Sequence, residues 1–170
     1  MHVRDQRTSG SSAQGLSSAT WNKRDLQTTV TNEISSATLT SSVISLPAGT
    51  YFIEASSAVY NSQSIANNNT ASAWAQIRLR NTTDGTTLLA GTGTYFSLGV
   101  TAPTAPSTVI MAPAILLQVP LKGRFTLAGT KNIEFQMYPA VSGGSTPTGG
   151  TPLSTGEVEV YTDILIWKVA

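Results

Sequence analysis

Cysteine is absent from the 170 residues. Disulfides, thiolate metal sites and cysteine nucleophiles are excluded with it. Histidine occurs once, at His2, so a single chain lacks the second imidazole of a zinc site and has no convincing base for a Ser-His-Asp triad. Charge is scarce. Asp, Glu, Lys and Arg make up 11% of the chain, against about 25% in an ordinary soluble domain. The formal net charge of +1 supplies no field to hold nucleic acid or anionic lipid. Long apolar runs are missing too. The stretch 110–121 is interrupted by Pro113 and Pro120 and is too short for a membrane span. Residues 1–12 lack the apolar centre of a signal peptide. No window holds a helical period. Residues 25–34 come nearest, but Thr28, Thr29, Val30 and Thr31 are β-branched and poor helix formers.

What remains is a period of two. Ser and Thr fill about a quarter of the positions and 40% of the residues are hydrophobic, which favours an all-β surface protein. In 50–60, Tyr51, Ile53, Ala55, Ser57 and Val59 alternate with Phe52, Glu54, Ser56, Ala58 and Tyr60. In 73–81, Ala73, Ala75, Ile77 and Leu79 alternate with Trp74, Gln76, Arg78 and Arg80. Thr82-Thr83-Asp84-Gly85 is a hairpin turn, with Gly85 supplying positive φ. Residues 115–127 contain Pro120, which predicts a bent or edge strand. Phe125 and Leu127 point inward there, as do Ile133, Phe135 and Met137 in 131–138. The longest strand is 157–169. Val158, Val160, Thr162, Ile164 and Ile166 form one face of it; Glu157, Glu159, Tyr161, Asp163, Leu165 and Trp167 form the other. Residues 8–18, 61–70, 99–113 and 142–154 are loops by composition. Residues 1–170 are one domain, and eight or nine strands with long end loops suit a sandwich or jelly roll.

Chemistry for catalysis is thin. His2 lies at a terminus expected to fray. Glu157 and Glu159 could be a glycosidase-like pair, but cross-strand charge pairing is the plainer account, with Arg78 and Arg80 as partners. Lys122 and Arg124 form a similar same-face pair. The run GGSTPTGG has neither the Lys nor the helix of a phosphate cradle. Two N-x-T sequons, at Asn68 and Asn81, are as many as chance supplies. No catalytic residue, metal or cofactor is expected.

The segments LPAGTYFIEA, AQIRLRNTTDGTTLL, GRFTLAGTKNIEFQ and EVEVYTDILIWKVA, in that order after VRDQRTSGSSAQGLSSATWNKRDLQT, resemble a group of bacteriophage virion proteins. These carry the trimeric jelly roll of the tumour necrosis factor and complement globular-head superfamily. The resemblance runs from about Val3 to Lys168. It implies an all-β jelly-roll sandwich of eight to nine antiparallel strands that assembles as a homotrimer. It also implies a place on the virion surface after assembly in the host cytoplasm. Partners would then be the chain itself and other virion proteins of capsid or tail, with no nucleic acid and no membrane insertion.

Two sets of residues are expected to make contacts. A sandwich needs one buried face per strand, and a second apolar face needs another partner. Phe52, Tyr60, Tyr161, Leu165 and Trp167 supply that second face, which the resembling family buries between protomers. The long loops supply the other set: Ile65, Asn68, Val109, Ile110, Met111 and Thr146. Two roles follow from the resemblance. One is a capsid decoration or head-fibre protein. The other is a receptor-binding tail-fibre tip that presents its loops to host surface glycans.

Overall fold

The computed structural model describes residues 1–62, 65–66, 70–99, 110–111, 114–141 and 146–170. Among them every regular element is a strand. In chain order these are β1 (His2–Arg7), β2 (Asn22–Lys23), β3 (Thr28–Thr31), β4 (Thr38–Thr40), β5 (Val43–Leu46), β6 (Gly49–Ser62) and β7 (Ile65–Ala66). There follow β8 (Thr70–Asn81), β9 (Thr86–Ala90), β10 (Thr94–Gly99), β11 (Ile110–Met111), β12 (Ala114–Leu127), β13 (Lys131–Val141) and β14 (Glu159–Lys168). Fourteen strands exceed the eight or nine expected. The additions are short pieces, such as β2, β4, β7 and β11, too brief to leave a period in the sequence.

All pairings are antiparallel. One sheet has five strands in the order β12-β6-β14-β1-β3. The other has seven, β10-β8-β13-β5-β4, with β2 beside β13 and β9 beside β8. A two-stranded ribbon joins β7 to β11. The two large sheets make a β-sandwich. Val3, Tyr51, Ile53, Val119, Leu121, Ile164 and Ile166 enter one core from the five-stranded sheet; Ile44, Leu46, Ile77, Leu79, Ile133, Phe135 and Met137 enter it from the other. These are the inward positions of the period-two pattern, and burying each large side chain contributes roughly 1.5–3 kcal/mol.

Local chemistry sets the ends of the strands. Pro120 lies on β12, an edge strand, where its missing N–H breaks no inner ladder. Gly85 closes the β8–β9 hairpin at φ +67°. Asn81 and Asp84 brace that turn: Asn81 Nδ2 donates to Asp84 Oδ2 at 2.9 Å, and the Asp84 N–H donates to Asn81 Oδ1 at 3.1 Å. The sequon asparagine Asn81 is therefore buried and already engaged. Ser41 and Ser42 join β4 to β5 with φ of +50° and +64°, the mirror-image turn that suits a twisted hairpin.

Candidate interaction surfaces

The outer face of the five-stranded sheet is ordered by its ladders. Phe52 lies opposite Trp167 on β14 and Arg124 on β12. Glu54 lies opposite Leu165 and Lys122, and Ser56 opposite Asp163 and Pro120. The Phe52 and Trp167 rings are 5.8 Å apart at 40°, and the Lys122 ammonium sits 5.5 Å over Phe52. Trp167 remains 44% exposed. Next to it, Glu54, Ser56, Pro120, Lys122, Asp163 and Leu165 line a shallow depression of about 290 Å³. Phe52, Leu165 and Trp167 thus form one patch. Tyr60 stands apart from it, eight residues further along β6 and roughly 26 Å away at about 3.3 Å per residue. Its backbone pairs there with Thr148, N to O at 2.9 Å in both directions.

Tyr161 does not belong to this face, contrary to the alternation expected for 157–169. The β1–β14 register shifts between Asp5, opposite Thr162, and Gln6, opposite Val160. Tyr161 is the extra residue of a β-bulge, which turns the strand's faces over. Its ring lies beneath Gly150, its hydroxyl donates to the Ser11 carbonyl at 2.8 Å, and only 6% of it is exposed. Val160 takes the outward position instead.

The same bulge turns Glu159 inward. Its Oε1 accepts the backbone N–H groups of Ser154 at 2.9 Å, Leu153 at 3.0 Å and Gly10 at 3.4 Å. The Ser154 N–H foremost, with those of Leu153 and Gly10, holds the carboxyl below its ordinary value of 4.5. The expected pairing with Arg78 and Arg80 does not occur. Those residues lie on β8 in the other sheet, where Arg78 Nε donates to Gln136 and Arg80 Nη1 reaches Thr87. A carboxylate whose folded value is lowered stabilises the fold above its unfolded value and loses that contribution as pH falls through the folded one. Glu159→Gln is expected to make unfolding free energy less dependent on pH below about 4.5. Denaturant titrations across the acid range check this, and an unchanged slope would count against it.

His2 is not frayed. It opens β1, and the Met1 amino group donates to the Ile166 carbonyl at 2.8 Å. His2 Nε2 and Asp163 Oδ1 are 2.5 Å apart, and Arg4 Nε donates to the same oxygen at 2.8 Å. Burial raises the Asp163 value, but the bonds from Arg4 and His2 outweigh it and keep the carboxyl below its ordinary range. This is a structural ion cluster on the outer face.

A buried polar seam had no signature in the sequence pattern. Lys23 points outward on β2 and Arg24, next in the chain, turns into the sandwich with its side chain wholly enclosed. Arg24 Nε donates to Thr162 Oγ1 at 3.3 Å and Nη2 to the Gly149 carbonyl at 3.1 Å. Asp5, also fully buried, lies 3.8 Å away, and Arg7 Nε donates to it at 2.8 Å. Burial pulls Arg24 down to about 10 and pushes Asp5 up, against the attraction of the pair. Asp5 Oδ2 and Arg24 Nη1 have no hydrogen-bond partner among the described residues.

Of the loop residues, Ile65 pairs with Met111, and Ile110 with Ala66, in the β7–β11 ribbon, so two long loops meet. Thr146 is exposed. Asn68 and Val109 lie outside the described residues.

The seven-stranded sheet carries a second aromatic surface that the sequence analysis did not single out. Trp74 and Tyr95 are opposite each other and exposed. Trp21 meets Tyr138 edge-on at 5.5 Å, with the Arg78 guanidinium 4.0 Å above the Trp21 ring. The alternation that placed Trp74, Gln76 and Arg78 on one face was the available signal.

No protein-family model matches the chain, and no curated protein is similar to it in sequence. Among the described residues no group of three His, Asp or Glu converges to hold a metal ion, and no helix is long and apolar enough to cross a membrane.

Proposed function

We propose that this chain is a non-enzymatic, homotrimeric jelly-roll protein of a bacteriophage virion surface, acting as a capsid decoration or head-fibre protein. The jelly-roll assignment is supported by nested pairing: β1 pairs with β14, β5 with β13 and β6 with β12, so first elements meet last ones across the two sheets. The virion assignment rests on the sequence resemblance. The observation that carries self-association is the Phe52–Leu165–Trp167 patch. It is a half-exposed indole tilted against a second ring, near one end of the inner strands β6 and β14, on a sheet whose other face already fills the core. Such a surface calls for a partner, and a threefold axis supplies one by bringing the same face of three copies together.

Trp167→Asp is expected to dissociate the assembly into folded monomers, because an unpaired carboxylate buried between subunits costs several kcal/mol, roughly. Sedimentation velocity reads this directly; a variant that stays assembled would count against the patch.

A second function is favoured by the β7–β11 ribbon, which gathers two long loops as a receptor-binding tail-fibre tip for host glycans would need. One experiment separates the two. The purified protein is offered to capsids stripped of it and, in excess, to host cells challenged with whole phage. Decoration predicts capsid rebinding with host adsorption unaffected; dose-dependent blocking of adsorption would overturn it in favour of the tip.

A further inference from the structure

The outer face of the seven-stranded sheet is built differently from the patch assigned to self-association. Tyr95, Trp74, Tyr138 and Trp21 step across β10, β8, β13 and the segment entering β2. At about 4.8 Å per strand the strip is roughly 15 Å long. Tyr95 is 65% exposed and Trp74 43%. Polar groups lie alongside the rings, in the next rows of β8, β13 and β2. Gln76 is opposite Tyr138, Gln136 is opposite both Arg78 and Lys23, and Arg80 is opposite Glu134.

We propose that this face binds an acidic glycan, a polysaccharide carrying carboxylate or phosphate groups. Three features carry the assignment. Exposed rings match the apolar C–H face of a sugar ring, and the Gln76 amide, held through its Nε2 on the Gly91 carbonyl at 3.0 Å, offers its oxygen to a sugar hydroxyl. The strip is positive: Arg78, Arg80 and Lys23 face one carboxylate, Glu134. Arg78 is also preorganised. Its Nε is tied to Gln136 at 2.8 Å and its plane lies over Trp21, while Nη1 and Nη2 make no hydrogen bond among the described residues and stay available for a bidentate contact with an anionic group. A proline-rich peptide would need a groove between the rings, and single-stranded nucleic acid a positive groove that follows its backbone past successive rings, whereas here the cations cluster on one side of the strip. A trimer joined through the five-stranded sheet would display three such strips, so weak single contacts would add up as avidity. The inference does not depend on whether the protein decorates capsids or adheres to hosts.

The test is a printed array of acidic and neutral bacterial surface polysaccharides, with oligothymidylate and a proline-rich peptide on the same slide, probed with the intact chain and variants. Binding is expected on carboxylated or phosphorylated glycans. Trp74→Ala and Tyr95→Ser should each weaken it about tenfold, the weight of one aromatic contact. Arg78→Gln should abolish the preference for acidic over neutral glycans. Unchanged thermal unfolding establishes that the variants fold, and Tyr95→Ser, on an exposed edge-strand residue, serves if Trp74→Ala does not. Binding to no glycan, glycan binding that survives the Trp74→Ala/Tyr95→Ser double variant, or binding of the nucleic acid or peptide through the same residues would each overturn the proposal. Capsid rebinding is measured separately, so its failure and this one are distinguishable.

Discussion

Gly149→Ala is expected to lower the thermal midpoint by about 6–12 °C, that is by ~3 kcal/mol at 2–4 °C per kcal/mol for a domain of this size. A Cβ at Gly149 would lie 2.1 Å from Arg24 Nη1 and 2.6 Å from its Cζ. That guanidinium is no flexible surface tip. It is enclosed and bonded to Thr162 and to the Gly149 carbonyl itself, so the backbone must lift instead. Lifting it strains the Gly149 N–H bond to the Gln14 carbonyl and the adjoining Thr148–Tyr60 pairing. Gly129→Ala is the control, because nothing stands within 4 Å of a Cβ there. Calorimetry on the two variants decides it. A Gly149→Ala midpoint within about 2 °C of wild type, under 1 kcal/mol, would mean the seam is loose.

Asp5→Ala is expected to cost about 3–5 kcal/mol, the usual penalty for leaving a buried charge without its counter-ion. Arg24 loses the enclosed carboxylate 3.8 Å away, and Arg7 Nε loses its 2.8 Å acceptor. The pair is nevertheless a poor stabiliser. Burial disfavours the charged form of both partners, lowering Arg24 to about 10 and raising Asp5, and each leaves one polar atom unsatisfied. Asp5→Leu combined with Arg24→Met should therefore recover most of what Asp5→Ala loses. Urea unfolding of the single and double variants measures both. A double variant as unstable as Asp5→Ala would show the ion pair itself to be favourable.

The sequence was most legible where one period ran unbroken between known turns. Tyr51, Ile53, Ala75, Ile77, Phe135 and Met137 all point into the core as the alternation requires, and Pro120 marked an edge strand. Legibility failed where a single residue broke the period. The bulge at Tyr161 sent that side chain under Gly150 and turned Glu159 toward three backbone N–H groups, and no residue-type pattern announces a bulge of this kind. Arg24 was hidden for another reason. Its partners, Asp5, Thr162 and Gly149, come from distant parts of the chain, and burial of an arginine depends on that assembly rather than on its neighbours in sequence. The order at His2 has no sign in a terminal sequence, because it comes from the Met1 amino group extending the β1–β14 ladder. The patch of Phe52, Leu165 and Trp167 was legible in part. Tyr60 shares its sheet face but lies at the far end of β6, since parity gives the face and not the distance.

Sedimentation equilibrium of the unmodified chain tests the central claim most directly, that the outer face of the five-stranded sheet is an interface between copies. Each chain has a mass of 17.8 kDa, and the account predicts a single species of three times that mass. A monodisperse species of 17.8 kDa would contradict it.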